Sequence, residues 1–234
     1  MNQILVTDKM YVTQKLKKKK KMYKIEFIAS LLLVFIFSGW YIASEVEKNA
    51  HEAVSQDILN DASIDDYDET IAEDQPLIVA FNDEAEVVNQ EPEIGDGSYT
   101  DPSGVTYTYE SILSIPTLKI EYPVLSETTD ELLKISLNKF WGGSPNSVGN
   151  YCVVGHNYRS GRMFGKLSQI KNDDRVFIQD MSGKKLEYRV YDKFVVEPED
   201  VSCTSQITNG LRELTLITCT NGGKQRLIVK CREC

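Results

Sequence analysis

Histidine is nearly missing from this chain of 234 residues: His51 and His156 are its only two, beside five cysteines. That scarcity removes most metal-centre readings. Cys231-Arg232-Glu233-Cys234 has the look of a zinc or redox motif, yet no second ligand pair stands at a suitable spacing. The motif also follows a strand-like run at the extreme terminus, where a redox motif would open a helix. Inert thiols or a structural disulfide are the favoured reading. The cysteine count is odd, so one thiol is expected to stay free, while Cys152, Cys203, Cys231 and Cys234 can pair in a connectivity that spacing leaves open. Surplus positive charge is lacking too. Residues 105–234 carry a net charge of only +2 within a chain of net −9, which leaves no electrostatic case for nucleic acid.

The acidity that is present belongs to the middle of the chain, residues 45–104, with a net charge of −17, and residues 1–44 carry +6. Residues 1–24 form a polar segment, read as cytoplasmic, that ends in a lysine cluster. Residues 27–43 are charge-free and apolar, long enough to cross a bilayer as a helix, with Trp40 and Tyr41 where an interfacial aromatic belt would lie. Residues 25–44 are therefore read as a signal anchor, with the N-terminus in the cytoplasm by the positive-inside rule and the rest outside. A cleaved signal peptide is the alternative, but the run is long for one and no clear A-x-A site follows. Val46, Ala50, Val54 and Ile58 continue at helical spacing, and His51 among them reads as a solvated side chain. Residues 45–104, rich in Asp, Glu, Pro and Gly, read as an acidic stalk interrupted only by the apolar residues 76–81, a short element expected to dock on the domain.

From residue 105 onward the pattern is globular. Short apolar, β-branched runs at 112–115, 118–124, 151–155, 175–179 and 185–196 are separated by turn residues, with Ser182-Gly183 closing a hairpin. Thr128-Thr129-Asp130-Glu131 has the form of a helix start, predicting a helix through about Leu137, and residues 163–170 predict a short helical turn. Many short strands, few helices and long connections predict a mainly β domain, a closed or nearly closed barrel.

Residues 214–230 hold the chemistry. An apolar strand ends in Thr218-Cys219, Asn221-Gly222-Gly223 supplies the positive-φ positions of a tight connection, and a second apolar strand begins at Arg226. The arms should pair and bring Cys219 beside Arg226. A free thiol, with a pKa of about 8.5, needs a base or cation to act as a nucleophile at neutral pH. His156 follows the apolar run 151–155 and is the candidate acid/base, with Arg226 the candidate oxyanion donor. Each residue taken singly also fits a plainer role: a small buried hydrophobe, a solvated arginine, a satisfied surface histidine.

The Thr-Leu-Ile-Thr-Cys run at 215–219 with Arg226 downstream resembles the active-site strand pair of the sortases, membrane-anchored cysteine transpeptidases of Gram-positive bacteria. Gly155-His156-Asn157, followed by Met163-Phe164-Gly165-Lys166-Leu167, is similar to the histidine region of class B sortases, although residues 197–210 are short for the helix that class usually carries there. The resemblance covers about residues 105–234. It implies a closed eight-stranded sortase-type β-barrel with short helices. It further implies cleavage of a C-terminal sorting signal on secreted proteins and transfer of the acyl group, through a thioester, to an amine of cell-wall precursor or a pilin subunit, with no cofactor. Cys219, His156 and Arg226 would be the catalytic residues, and Thr218 and Asn157 candidate substrate contacts, with strand packing the alternative for Thr218. A surface cysteine peptidase using water as acceptor, or a non-catalytic wall-facing thiol or adhesion module, are the competing classes.

Overall fold

The computed structural model describes residues 14–64 and 97–234. The docking element expected at residues 76–81 lies outside the described residues. The chain divides into two compact units, residues 1–49 and 50–234.

A single helix, α1 (Gln14–Ile64), runs for 51 residues, uninterrupted by proline. In the first unit its apolar side chains, among them Phe27, Phe35 and Trp40, are exposed all round. By length and composition it is long and apolar enough to cross a membrane. In the second unit the same helix turns amphipathic. Ile58 and Ala62 are buried against Tyr107, Tyr109, Leu125 and Ile135, and Ser55 donates its hydroxyl to Ser136 Oγ at 3.1 Å. Residues 54–62, within the segment read as stalk, are thus part of the globular unit.

The strands are β1 (Gly97–Thr100), β2 (Thr106–Ile115), β3 (Ile120–Leu125), β4 (Leu137–Trp141), β5 (Gly149–Val154), β6 (Arg175–Asp180), β7 (Lys185–Val196), β8 (Arg212–Thr220) and β9 (Gln225–Glu233). Their order is β1-β2-β3-β4-β5-β8-β9-β7-β6, and β6 pairs back onto β2, from Ser111 opposite Asp180 to Ser114 opposite Phe177. Eight strands therefore close a barrel, as expected, and β1 is an extra strand hairpinned onto β2 outside the ring. Closure leaves the ring without an open edge. Leu113, Ile115, Val124, Val153, Leu214, Leu216 and Val229 fill its interior.

Two short elements differ from expectation. The helix expected from Thr128 to Leu137 is a single turn, α2 (Leu132–Ile135), entered where Leu132 N–H donates to Thr129 Oγ1 at 3.1 Å. Leu137–Trp141 is instead strand β4, pairing parallel to β3 and antiparallel to β5. Closing the ring requires a strand in that gap, and ladder pairing outweighs a weak helix signal. The short helical turn expected within residues 163–170 does form, as a 3-10 turn, Leu167–Gln169.

Candidate active site

The hairpin of β8 and β9 forms as its sequence predicts, with Cys219 directly opposite Arg226. Asn221, Gly222 and Gly223 take φ of 54°, 69° and 89°, the left-handed values that this connection demands. Along β8, Leu214 and Leu216 point into the barrel while Ile217 packs in an outer cluster with Cys152, Cys203 and Ile228. Strand alternation then puts Thr218 inside and Cys219 on the outer face. Thr218 is 1% exposed and donates its hydroxyl to Gly155 O at 2.7 Å, so it ties two strand ends together and offers no surface to a peptide.

β5 runs parallel to β8 in a register that ends with Val154 opposite Ile217. Two residues further along each chain stand His156 and Cys219. Gly155 N–H donates to Ile217 O at 3.2 Å and Asn157 Nδ2 to Cys219 O at 2.8 Å, binding the histidine segment to the cysteine strand on both sides of His156. Gly155 is required by packing: a Cβ there would run into Leu137 Cδ2 and crowd Phe164. The three predicted catalytic residues thus share one end of the barrel. Arg226 is half-buried, and its Nη1 donates to Gly223 O (3.0 Å) and Gln225 O (3.2 Å), which anchors one side of the guanidinium fork on the turn.

Burial holds the His156 imidazole below its usual pKa, Asp130 pushing it up and Lys134 pushing it down. A lowered pKa keeps the imidazole neutral near pH 7, able to accept a proton. Asp130 and Lys134 are the residues that sequence reading missed, being legible there only as a helix start. Lys134→Gln is expected to raise the His156 pKa towards the ordinary 6.5, and Asp130→Asn to lower it further; an imidazole NMR titration checks both signs.

All five cysteines are free thiols. Burial raises the Cys152 thiol to about 12 and also pushes Cys203 and Cys231 upward, and Cys231 is completely enclosed in the barrel core. Those three are packing residues. Cys219, by contrast, is half-buried at the open end of its strand.

A family model, the sortase domain, matches residues 113–234. The chain belongs to the sortase family. Sortase A of Bacillus anthracis is 29% identical over 110 residues, 47% of this chain and 51% of that protein, so the sortase chain described here spans about half the length of that curated relative. The structure of sortase A from Corynebacterium diphtheriae matches with a TM-score of 0.51 and 25% identity over 55% of this chain and 61% of that one. A pilus-related sortase C of Group B Streptococcus shares the fold, at TM-score 0.50 and 23% identity over 54% and 67% of the two chains.

Proposed function

We propose that this sortase is a membrane-anchored cysteine transpeptidase that cleaves a C-terminal sorting signal on secreted proteins and passes the acyl group to an amine of cell-wall precursor or a pilin subunit. The observation that carries the proposal is the strand register that gathers Cys219, His156 and Arg226 at one end of the barrel. His156 takes the Cys219 proton, and the thiolate adds to the scissile carbonyl. The free donors of Arg226 hold the resulting oxyanion. As the tetrahedral adduct collapses, the imidazolium gives its proton to the departing amine, leaving a thioester. The incoming amine attacks that thioester, His156 removes its extra proton, and Cys219 is released as the thiol. Asn157, exposed beside this centre, is the remaining candidate substrate contact.

A shallow apolar groove lies next to Arg226, lined by Phe140, Val154, Val201, Ile217 and Ile228. It suits the apolar side chains of an extended peptide whose carbonyl reaches Cys219. The lysine-flanked apolar stretch of α1 supports a single-pass topology with the N-terminus cytoplasmic and the catalytic domain extracellular. Incubation with a library of sorting peptides and a small amine, followed by mass spectrometry, should yield peptide ligated to the amine. Hydrolysed peptide alone, at saturating amine, would replace the transferase with a peptidase.

A further inference from the structure

We propose that Glu52, on the barrel-docked part of α1, is a positioning residue for His156, acting through the Tyr122 hydroxyl and the Met163 backbone. The loop that carries His156 folds back on itself. His156 O accepts the Phe164 N–H at 3.0 Å, and Asn157 and Met163 form an isolated antiparallel bridge. This fold-back puts Met163 at φ 48°, a left-handed conformation that a residue with a side chain adopts only when its surroundings hold it there.

The hold comes from Tyr122. Its hydroxyl accepts the Met163 N–H and donates to Glu52 Oε1 at 2.7 Å. An ionised carboxylate can only accept, so Glu52 forces the phenol to donate towards α1 and turns the phenol's lone pairs to Met163. The other carboxylate oxygen of Glu52 faces Arg162 Nε at 3.7 Å, reaching the same loop a second time. Tyr122 is buried, and the whole Glu52 side chain is only 21% exposed, so neither bond is simply exchanged for water. One helix residue thereby braces both Arg162 and Met163 in the loop whose first residues bear His156 and, through Asn157, the Cys219 carbonyl.

A control lies on the same helix. Ser55 also docks α1 on the barrel, through Ser136 Oγ, whose own hydroxyl goes to Pro123 O, and neither bond touches the histidine loop. The kinetic part of the test rests on the transpeptidase reading; the spectroscopic part does not. Both use the full chain in detergent micelles. With only His51 and His156 in the chain, ring-labelled histidine gives two titration curves, assigned with His156→Gln.

Glu52→Ala and Tyr122→Phe are each expected to shift the His156 curve towards the ordinary value as the loop loosens and its imidazole gains water, with Asp130 and Lys134 left in place. Each should also lower kcat by on the order of tenfold to a hundredfold with KM nearly unchanged, the size expected when a reacting group is displaced. The double variant should add little to either single one, because both cut the same chain of bonds. Glu52→Gln keeps an acceptor for the phenol and should recover most of the loss. Ser55→Ala should leave both readouts as they are. An unmoved His156 curve in Glu52→Ala and Tyr122→Phe, or an equal shift in Ser55→Ala, would overturn the proposal. A wild-type chain without ligation activity but with the predicted shifts would sink the transpeptidase reading and leave the positioning role standing.

Discussion

Cys219→Ala is expected to lose ligation by a factor of about ten thousand or more, because Cys219 is the thiol that the strand register sets beside both His156 and Arg226. The fold should survive, since the side chain is half-buried, stands at the end of β8, and is no part of the packed interior. Cys152→Ala makes the useful comparison. That thiol is wholly buried and raised to about 12, so its removal leaves a cavity that costs stability without touching the chemistry. The same contrast predicts that a thiol reagent near neutral pH marks Cys219 well before Cys152, Cys203 or Cys231. Peptide mapping after a short pulse of iodoacetamide checks it, and a first adduct on the enclosed Cys231 would revive the redox reading of the C-terminal motif.

Arg226→Lys should fold normally and still lose at least about tenfold in transpeptidation, with Arg226→Ala worse. If the arginine merely raised the local potential, lysine would serve. The guanidinium already spends Nη1 on Gly223 O and Gln225 O, which fixes its plane and leaves the remaining donors in a set direction. An ammonium on a flexible stem can satisfy one of those carbonyls or face the substrate, not both. Losing one preorganised oxyanion donor typically costs on the order of a hundredfold to a thousandfold in rate, about 2.7 to 4 kcal/mol. Near-wild-type turnover of the lysine variant, with folding confirmed by circular dichroism, would reduce the catalytic set to Cys219 and His156.

The two large predictions draw on different kinds of information. That Cys219 and Arg226 face each other follows from one local stretch, in which two apolar arms flank Asn221-Gly222-Gly223 and hardly any other pairing is open to them. The helical apolar run, the strands at 151–155, 175–179 and 185–196, and the barrel class were legible for the same reason. Each depends on a periodicity or turn chemistry spanning a few residues.

What only the tertiary structure decided is pairing at a distance. His156 reaches Cys219 because β5 lies parallel to β8 with Val154 opposite Ile217, and contacts such as Thr218 to Gly155 join residues 63 positions apart. Parallel neighbours have no connecting turn to announce their register. β4 escaped notice because ring closure, and not its own propensity, makes Leu137–Trp141 a strand. Asp130, Lys134, Glu52 and Tyr122 carry no sequence sign of their bearing on His156, since each meets the histidine or its loop only after the barrel has closed and α1 has docked on it. Local patterning chose the elements and the reactive residue types. Closure of the ring chose which of them meet, because burying one continuous core admits few ways to place the strands side by side.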